Sequence, residues 1–119
     1  MIYRDVIKYG LHDFTSIKDE YILNCDAHKP RLDLIERYIY LQLLFLYSIC
    51  PHFCEVSYID YFLTFSSHPK EYPELLGHCK FPSPAIEINY SIIKANKYFH
   101  KFMILARDNY AKVTKPRKG

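Results

Sequence analysis

The sequence predicts an all-α fold: a compact bundle of four to five helices that ends in a long amphipathic C-terminal helix. Three observations predict this class. Apolar residues recur at intervals of three and four in several segments, which is the helical period. The stretch between Arg37 and Glu55 holds 17 residues without a Lys, Arg, Asp or Glu. Finally, the pair Ser83-Pro84 is followed by a long segment with no helix breaker before Pro116.

Length and composition limit the domain organisation and the chemistry. A chain of 119 residues, 50% hydrophobic and 24% charged, can bury one core. We therefore expect a single helical domain over residues 1–113 and a basic C-terminal tail over 114–119. The only three glycines, Gly10, Gly77 and Gly119, exclude a glycine-rich phosphate loop or dinucleotide fingerprint. No catalytic motif is found, so the sequence predicts a protein that is not an enzyme and has no cofactor.

The first two predicted elements lie in residues 1–27. Ile2, Val6 and Leu11 have roughly helical spacing over residues 1–14, which predicts a short helix or an ordered arm that is broken at Gly10. Thr15 or Ser16 is then expected to cap a second helix that runs to about residue 27.

A third helix, central to the bundle, is predicted over residues 31–49. Pro30 favours a helix start, and Asp33 and Glu36 lie near the positive end of its dipole. Its apolar residues cover all sides, which is typical of a helix surrounded by other helices or by lipid. A small membrane-associated protein is therefore an alternative. Polar residues within the uncharged stretch and the acids that follow it favour the buried helix.

The second half is predicted to contain two more helices. Residues 53–65 have helical spacing, although their aromatic and β-branched content also suits a strand. Residues 66–84 hold four prolines and are expected to form a long connection with one helical turn around 74–78. The last helix should begin at Ser83-Pro84, with Ser83 as its cap, and run to about residue 113.

Charge is distributed unevenly along the chain. Residues 94–118 contain eight lysines and arginines against Asp108 alone, a formal charge of +7, whereas the remainder has eight basic and twelve acidic residues, a charge of −4. Such asymmetry indicates an anionic partner. We predict that this partner is nucleic acid or an acidic protein surface.

The pattern of residues on the last predicted helix indicates a binding surface. At 100° per residue, its lysines fall within an arc of about 60° with Tyr98 and Leu105 beside them. Lysines neutralise phosphates and an aromatic ring stacks on an unpaired base. The opposite arc is apolar and is expected to face the core: Ile92, Ala95, Phe99, Met103, Ala106, Tyr110 and Val113. The predicted binding residues are Lys94, Lys97, Tyr98, Lys101, Lys112, Lys115, Arg117 and Lys118.

These features favour a small regulatory protein that contacts nucleic acid or a ribonucleoprotein, as is common among viral and mobile-element proteins. The lysine face also fits a merely solvated helix surface. Twelve tyrosines, more than one small core can bury, favour a second hypothesis, a homo-oligomeric module that blocks or bridges a protein partner.

Cysteine and histidine supply two further candidate groups. Cys50, His52, Cys54, His78 and Cys79 are potential metal ligands, but their spacing is not that of a zinc ribbon, and no metal is predicted. Cys25 and His28 could share one helix face as nucleophile and base, yet no third group orients them. Four cysteines without an apolar leader favour a reducing compartment, the cytoplasm.

Overall fold

The computed structural model describes residues 2–84 and 86–115, which form four helical runs and no strand. The predicted all-α class is confirmed. The chain divides into two units, Met1–Pro82 and Ser83–Gly119, and each is described by itself. The single domain over 1–113 therefore stays a prediction. The basic tail, 114–119, falls largely on residues 116–119, outside the described residues.

Helix α1 consists of three consecutive pieces: Tyr3–Asp5, Val6–Asp13 and Phe14–Cys25. The predicted break at Gly10 is wrong, because this glycine lets the helix lie close against Phe45. A Cβ at Gly10 would lie 3.1 Å from the Cβ of Phe45. The Gly10 carbonyl also accepts a hydrogen bond of 2.9 Å from the Gln42 side chain. Val6–Asp13 has the wider π-helical turn.

Helix α2, Leu32–Tyr47, is the centre of the first unit. It packs against Val6–Asp13 of α1 and against the helix that follows it. The expectation that α2 is buried on all sides is wrong, because one face carries its buried residues and Leu34 on another face is 44% exposed. The buried residues are Glu36, Tyr40, Leu43 and Leu44. Within residues 2–84 and 86–115, no helix combines the length and apolar character that a membrane crossing requires.

Helix α3 consists of Pro51–Ser57, Tyr58–Phe62 and Leu63–Phe65, so the prediction of a helix here is confirmed. Pro51 occupies the first turn, where its missing N–H has no cost. One face of α3 completes the core with Cys54, Tyr58 and Phe62.

The connection after α3 is tied to the helices by side chains. It holds the 3₁₀ turns Pro69–Glu71 and Leu76–His78, the second close to the predicted turn. The Glu55 carboxylate accepts hydrogen bonds from the backbone N–H groups of Leu76 at 3.0 Å and Gly77 at 2.8 Å. The Leu76 side chain is 1% exposed and joins the core. The connection is therefore an integral part of the first unit.

Candidate nucleic-acid interface

Helix α4, Tyr90–Thr114, carries the predicted lysine surface. The predicted start at Ser83-Pro84 is wrong, since the Asn89 side chain is the cap. Its Oδ1 accepts hydrogen bonds from the N–H groups of Ser91 at 3.1 Å and Ile92 at 3.3 Å. These bonds satisfy two N–H groups that have no partner inside the helix. The predicted end near residue 113 is confirmed, because Lys115 has extended backbone angles.

The lysine stripe comprises Lys94, Lys97, Lys101, Lys112 and Lys115, all exposed. The first four lie within the helix, and Lys115 is its C-cap. At 1.5 Å rise per residue, Lys94 and Lys112 are about 27 Å apart along the axis. Arg117 and Lys118, also predicted to bind, lie outside the described residues. The stripe thus presents two groups of cations on one continuous helix, Lys94 to Lys101 and Lys112 to Lys115, about 16 Å apart along the axis.

No carboxylate of the described residues compensates the positive charge of the lysine stripe. Among the described residues, ion pairs join Lys18 to Asp19 and Arg31 to Asp33, and none involves a lysine of the stripe. Asp108 lies on the same side of α4 but not within ion-pair distance of these lysines. Lys97 and Lys101, one turn apart, repel each other slightly. An anionic partner would therefore relieve repulsion without first having to displace an internal ion pair.

Two uncharged side chains lie beside the lysines. Tyr98 is 75% exposed and Leu105 is 62% exposed. Tyr98 follows Lys94 by four residues and precedes Lys101 by three, so its side chain lies on the helix surface next to these two lysines. This arrangement places an exposed aromatic ring beside the lysines.

Within the second unit, described by itself, the apolar arc of α4 is exposed, and no described residue of that unit buries it. Phe99 is 61% exposed, Tyr110 is 72% exposed and Val113 is 84% exposed. No residue of Tyr90–Thr114 is buried. The prediction that α4 packs across the central helix stays a prediction.

The cysteine and histidine candidates do not assemble into a site. Cys50 and Cys54 have their sulfurs 3.9 Å apart, and the Cys79 sulfur is 3.9 Å from the Tyr58 hydroxyl. In the described part of the chain, no three His, Cys, Asp or Glu side chains come together as a metal site, so His52 and His78 do not complete one. Cys25 ends α1 and His28 lies beyond it, so the shared helix face predicted for this pair is absent.

A pocket of about 270 Å³ on the first unit was missed by the sequence reasoning. It lies between α2 and α3, and Glu36 lines it. A signal was present in the sequence, because Glu36 is an acid in a helix whose later residues are almost all apolar. A place near the positive end of the helix dipole accounts for an acid at this position but not for its burial.

Comparison with known proteins finds two relatives with the same name. The chain is 32% identical over 124 aligned positions to the cytoplasmic leucine–tRNA ligase of Saccharomyces cerevisiae, an alignment that covers 98% of this chain and 10% of that protein. It is 32% identical over 54 positions to the cytoplasmic leucine–tRNA ligase of Arabidopsis thaliana, covering 45% of this chain and 5% of that protein. No family model matches, and no solved structure matches significantly. The chain thus spans about a tenth of the yeast relative's length and resembles one segment of it.

Proposed function

We propose that this chain is a non-enzymatic binding protein that contacts RNA, of the tRNA class, through the lysine stripe and Tyr98. The observation that carries the proposal is the row of exposed lysines without carboxylate partners on one face of α4. Each lysine that contacts a phosphate releases condensed counterions, which gives affinity without a built pocket. Tyr98 adds stacking on an unpaired base.

The relatives support RNA over DNA as the partner. Their names give tRNA as a substrate, and the yeast alignment covers nearly the whole chain, including α4. The chain corresponds to about a tenth of that protein, and RNA binding is the role that we propose for it. The relatives' names also include the word cytoplasmic, which supports the cytoplasm as its location.

Charge reversal on the stripe tests the proposal. The full chain with Lys94→Glu, Lys97→Glu and Lys101→Glu should bind a fluorescent tRNA transcript on the order of 100-fold more weakly at low salt, because three attractive phosphate contacts become repulsive. Fluorescence anisotropy measures this change in about 50 mM salt, because contacts between lysines and phosphates are strong at low salt.

The matched control carries Lys29→Glu, Lys70→Glu and Lys80→Glu. These three lysines are exposed in the first unit, and their reversal changes the net charge by the same amount. The control should keep most of its RNA affinity. Equal losses in the two variants would mean that net charge, not the stripe, determines binding. A wild-type chain that binds no RNA at low salt would favour the acidic protein surface as partner.

The exposed apolar arc of α4 favours a second candidate function, homo-oligomeric protein interaction. Ile92, Phe99, Met103 and Tyr110 recur at helix spacing, and all are exposed. Apolar rows of this kind bind a second helix. Light scattering should then show a dimer that Phe99→Lys converts to a monomer, and a monomer at high concentration would contradict this candidate.

A further inference from the structure

The pocket between α2 and α3 is lined mainly by apolar side chains and also by a few polar ones. Four aliphatic side chains of α2 line one side, and Tyr61, Phe62 and Phe65 of α3 line the other. The polar groups are those of Glu36, Ser57 and Ser66. At about 270 Å³, the cavity suits a small molecule or one long side chain.

Glu36 is the unusual group in this pocket, because it is a carboxylate that is 9% exposed in an apolar setting. Its Oε1 accepts hydrogen bonds of 2.7 Å from both the N–H and the hydroxyl of Ser67. Its Oε2 has no hydrogen-bond partner in the described part of the chain. This second oxygen is not among the buried atoms without a partner, so it stays accessible and can accept a hydrogen bond from a bound donor.

The neighbouring hydroxyls can contribute further acceptors. Ser57 has no side-chain hydrogen bond to a described residue, and the Ser66 Oγ accepts one from the His68 N–H at 3.3 Å. A primary ammonium group has three N–H donors and no acceptor. It therefore matches the charge of Glu36 and the hydroxyl oxygens of Ser57 and Ser66.

We propose that this pocket binds a protonated primary amine carried on an apolar or aromatic body. The ammonium pairs with Glu36, and the body packs against Tyr61, Phe62 and Phe65. An anionic ligand is disfavoured because Glu36 would repel it. The same alkylammonium chemistry is available from a free amine and from the lysine side chain of a peptide, and the experiment distinguishes these two sources.

Titration calorimetry on the full chain at neutral pH provides the test. The probes are 2-phenylethylamine, its uncharged analogue 2-phenylethanol and its anionic analogue 3-phenylpropionate. We expect 2-phenylethylamine to bind one site at least roughly tenfold more tightly than the alcohol, because the hydrogen bond to the carboxylate is charge-assisted. The propionate should not bind.

Glu36→Gln keeps the side-chain size and an acceptor for Ser67 but removes the charge. It should lower the amine's affinity to that of the alcohol. Glu55→Gln is the matched control, since Glu55 also accepts two hydrogen bonds in the same unit and does not line the pocket. Phe65→Ala changes a side chain that is 77% exposed, so it should weaken both ligands without unfolding the chain.

Nα-acetyl-lysine methylamide and its Nε-acetylated form test the peptide source. Binding of the charged form only, with the same dependence on Glu36, identifies a lysine side chain as the occupant. The proposal would be overturned if the amine and the alcohol bound with equal affinity, or if Glu36→Gln had no effect on amine binding. It would also be overturned if neither 2-phenylethylamine nor Nα-acetyl-lysine methylamide bound. The variant with Lys94→Glu, Lys97→Glu and Lys101→Glu should bind the amine as the wild type does. Amine binding and RNA binding can therefore succeed or fail independently.

Discussion

Tyr58→Ala should lower the free energy of unfolding of the first unit by roughly 3–5 kcal/mol, as truncation of a large buried side chain does. The Tyr58 side chain is fully buried, and its ring stacks on Phe62 with 5.5 Å between ring centroids. Its hydroxyl donates a hydrogen bond to the Pro73 carbonyl, which holds the connection against α3. The substitution therefore removes a core ring and a tie to the connection together.

Urea unfolding of the full chain, followed by circular dichroism, measures this loss. The control is Tyr61→Ala, three residues further along the same helix, because Tyr61 is 64% exposed. Its effect should stay within about 0.5 kcal/mol, as is usual for surface substitutions. A Tyr58→Ala variant as stable as Tyr61→Ala would contradict the described core.

The first unit should also lose stability in alkali. Burial, together with a hydrogen bond from Cys79, raises the pKa of Tyr58 above its ordinary value of 10.0. Burial likewise raises the pKa of Tyr40 and Tyr72, and it raises the pKa of Cys54 from 9.0 to about 12. The fold therefore favours the neutral forms. The unfolded chain loses these protons at lower pH, so stability falls as pH rises above about 9.

Urea unfolding at a series of pH values from about 8 to 11 measures this dependence. Tyr58→Phe removes one of the titrating hydroxyls and should make the decline shallower, while Tyr61→Phe should leave the slope unchanged. A wild-type stability that is constant over this range would mean that these groups are not held neutral by burial.

The helical class was predictable because apolar spacing is a local property. The predictions of a central helix at α2 and of a helix at α3 both follow from this spacing. The break expected at Gly10 was wrong because the reason for this glycine lies 35 residues away, where Phe45 packs against it. The predicted start of α4 at Ser83-Pro84 was wrong because the cap is formed six residues later, by the Asn89 side chain.

The candidate site was predictable in part for the same reason. The lysine stripe depends only on the helical period, and the structure keeps those lysines on one continuous helix. The pocket was not predictable, because Glu36 and Ser66 come together only when α2 packs against α3. Its binding properties depend on the burial of Glu36 between the two helices, and an acid within an apolar helix signals an unusual position without specifying that burial.

The salt dependence of RNA affinity tests the central claim most directly. The slope of log affinity against log salt concentration counts the phosphates that the protein neutralises, at roughly 0.7 per contact on single strands. The uncharged triple variant Lys94→Gln, Lys97→Gln and Lys101→Gln should therefore reduce the slope by about 2. An unchanged slope would show that these lysines do not contact RNA, and the stripe would then be only a solvated surface of the helix.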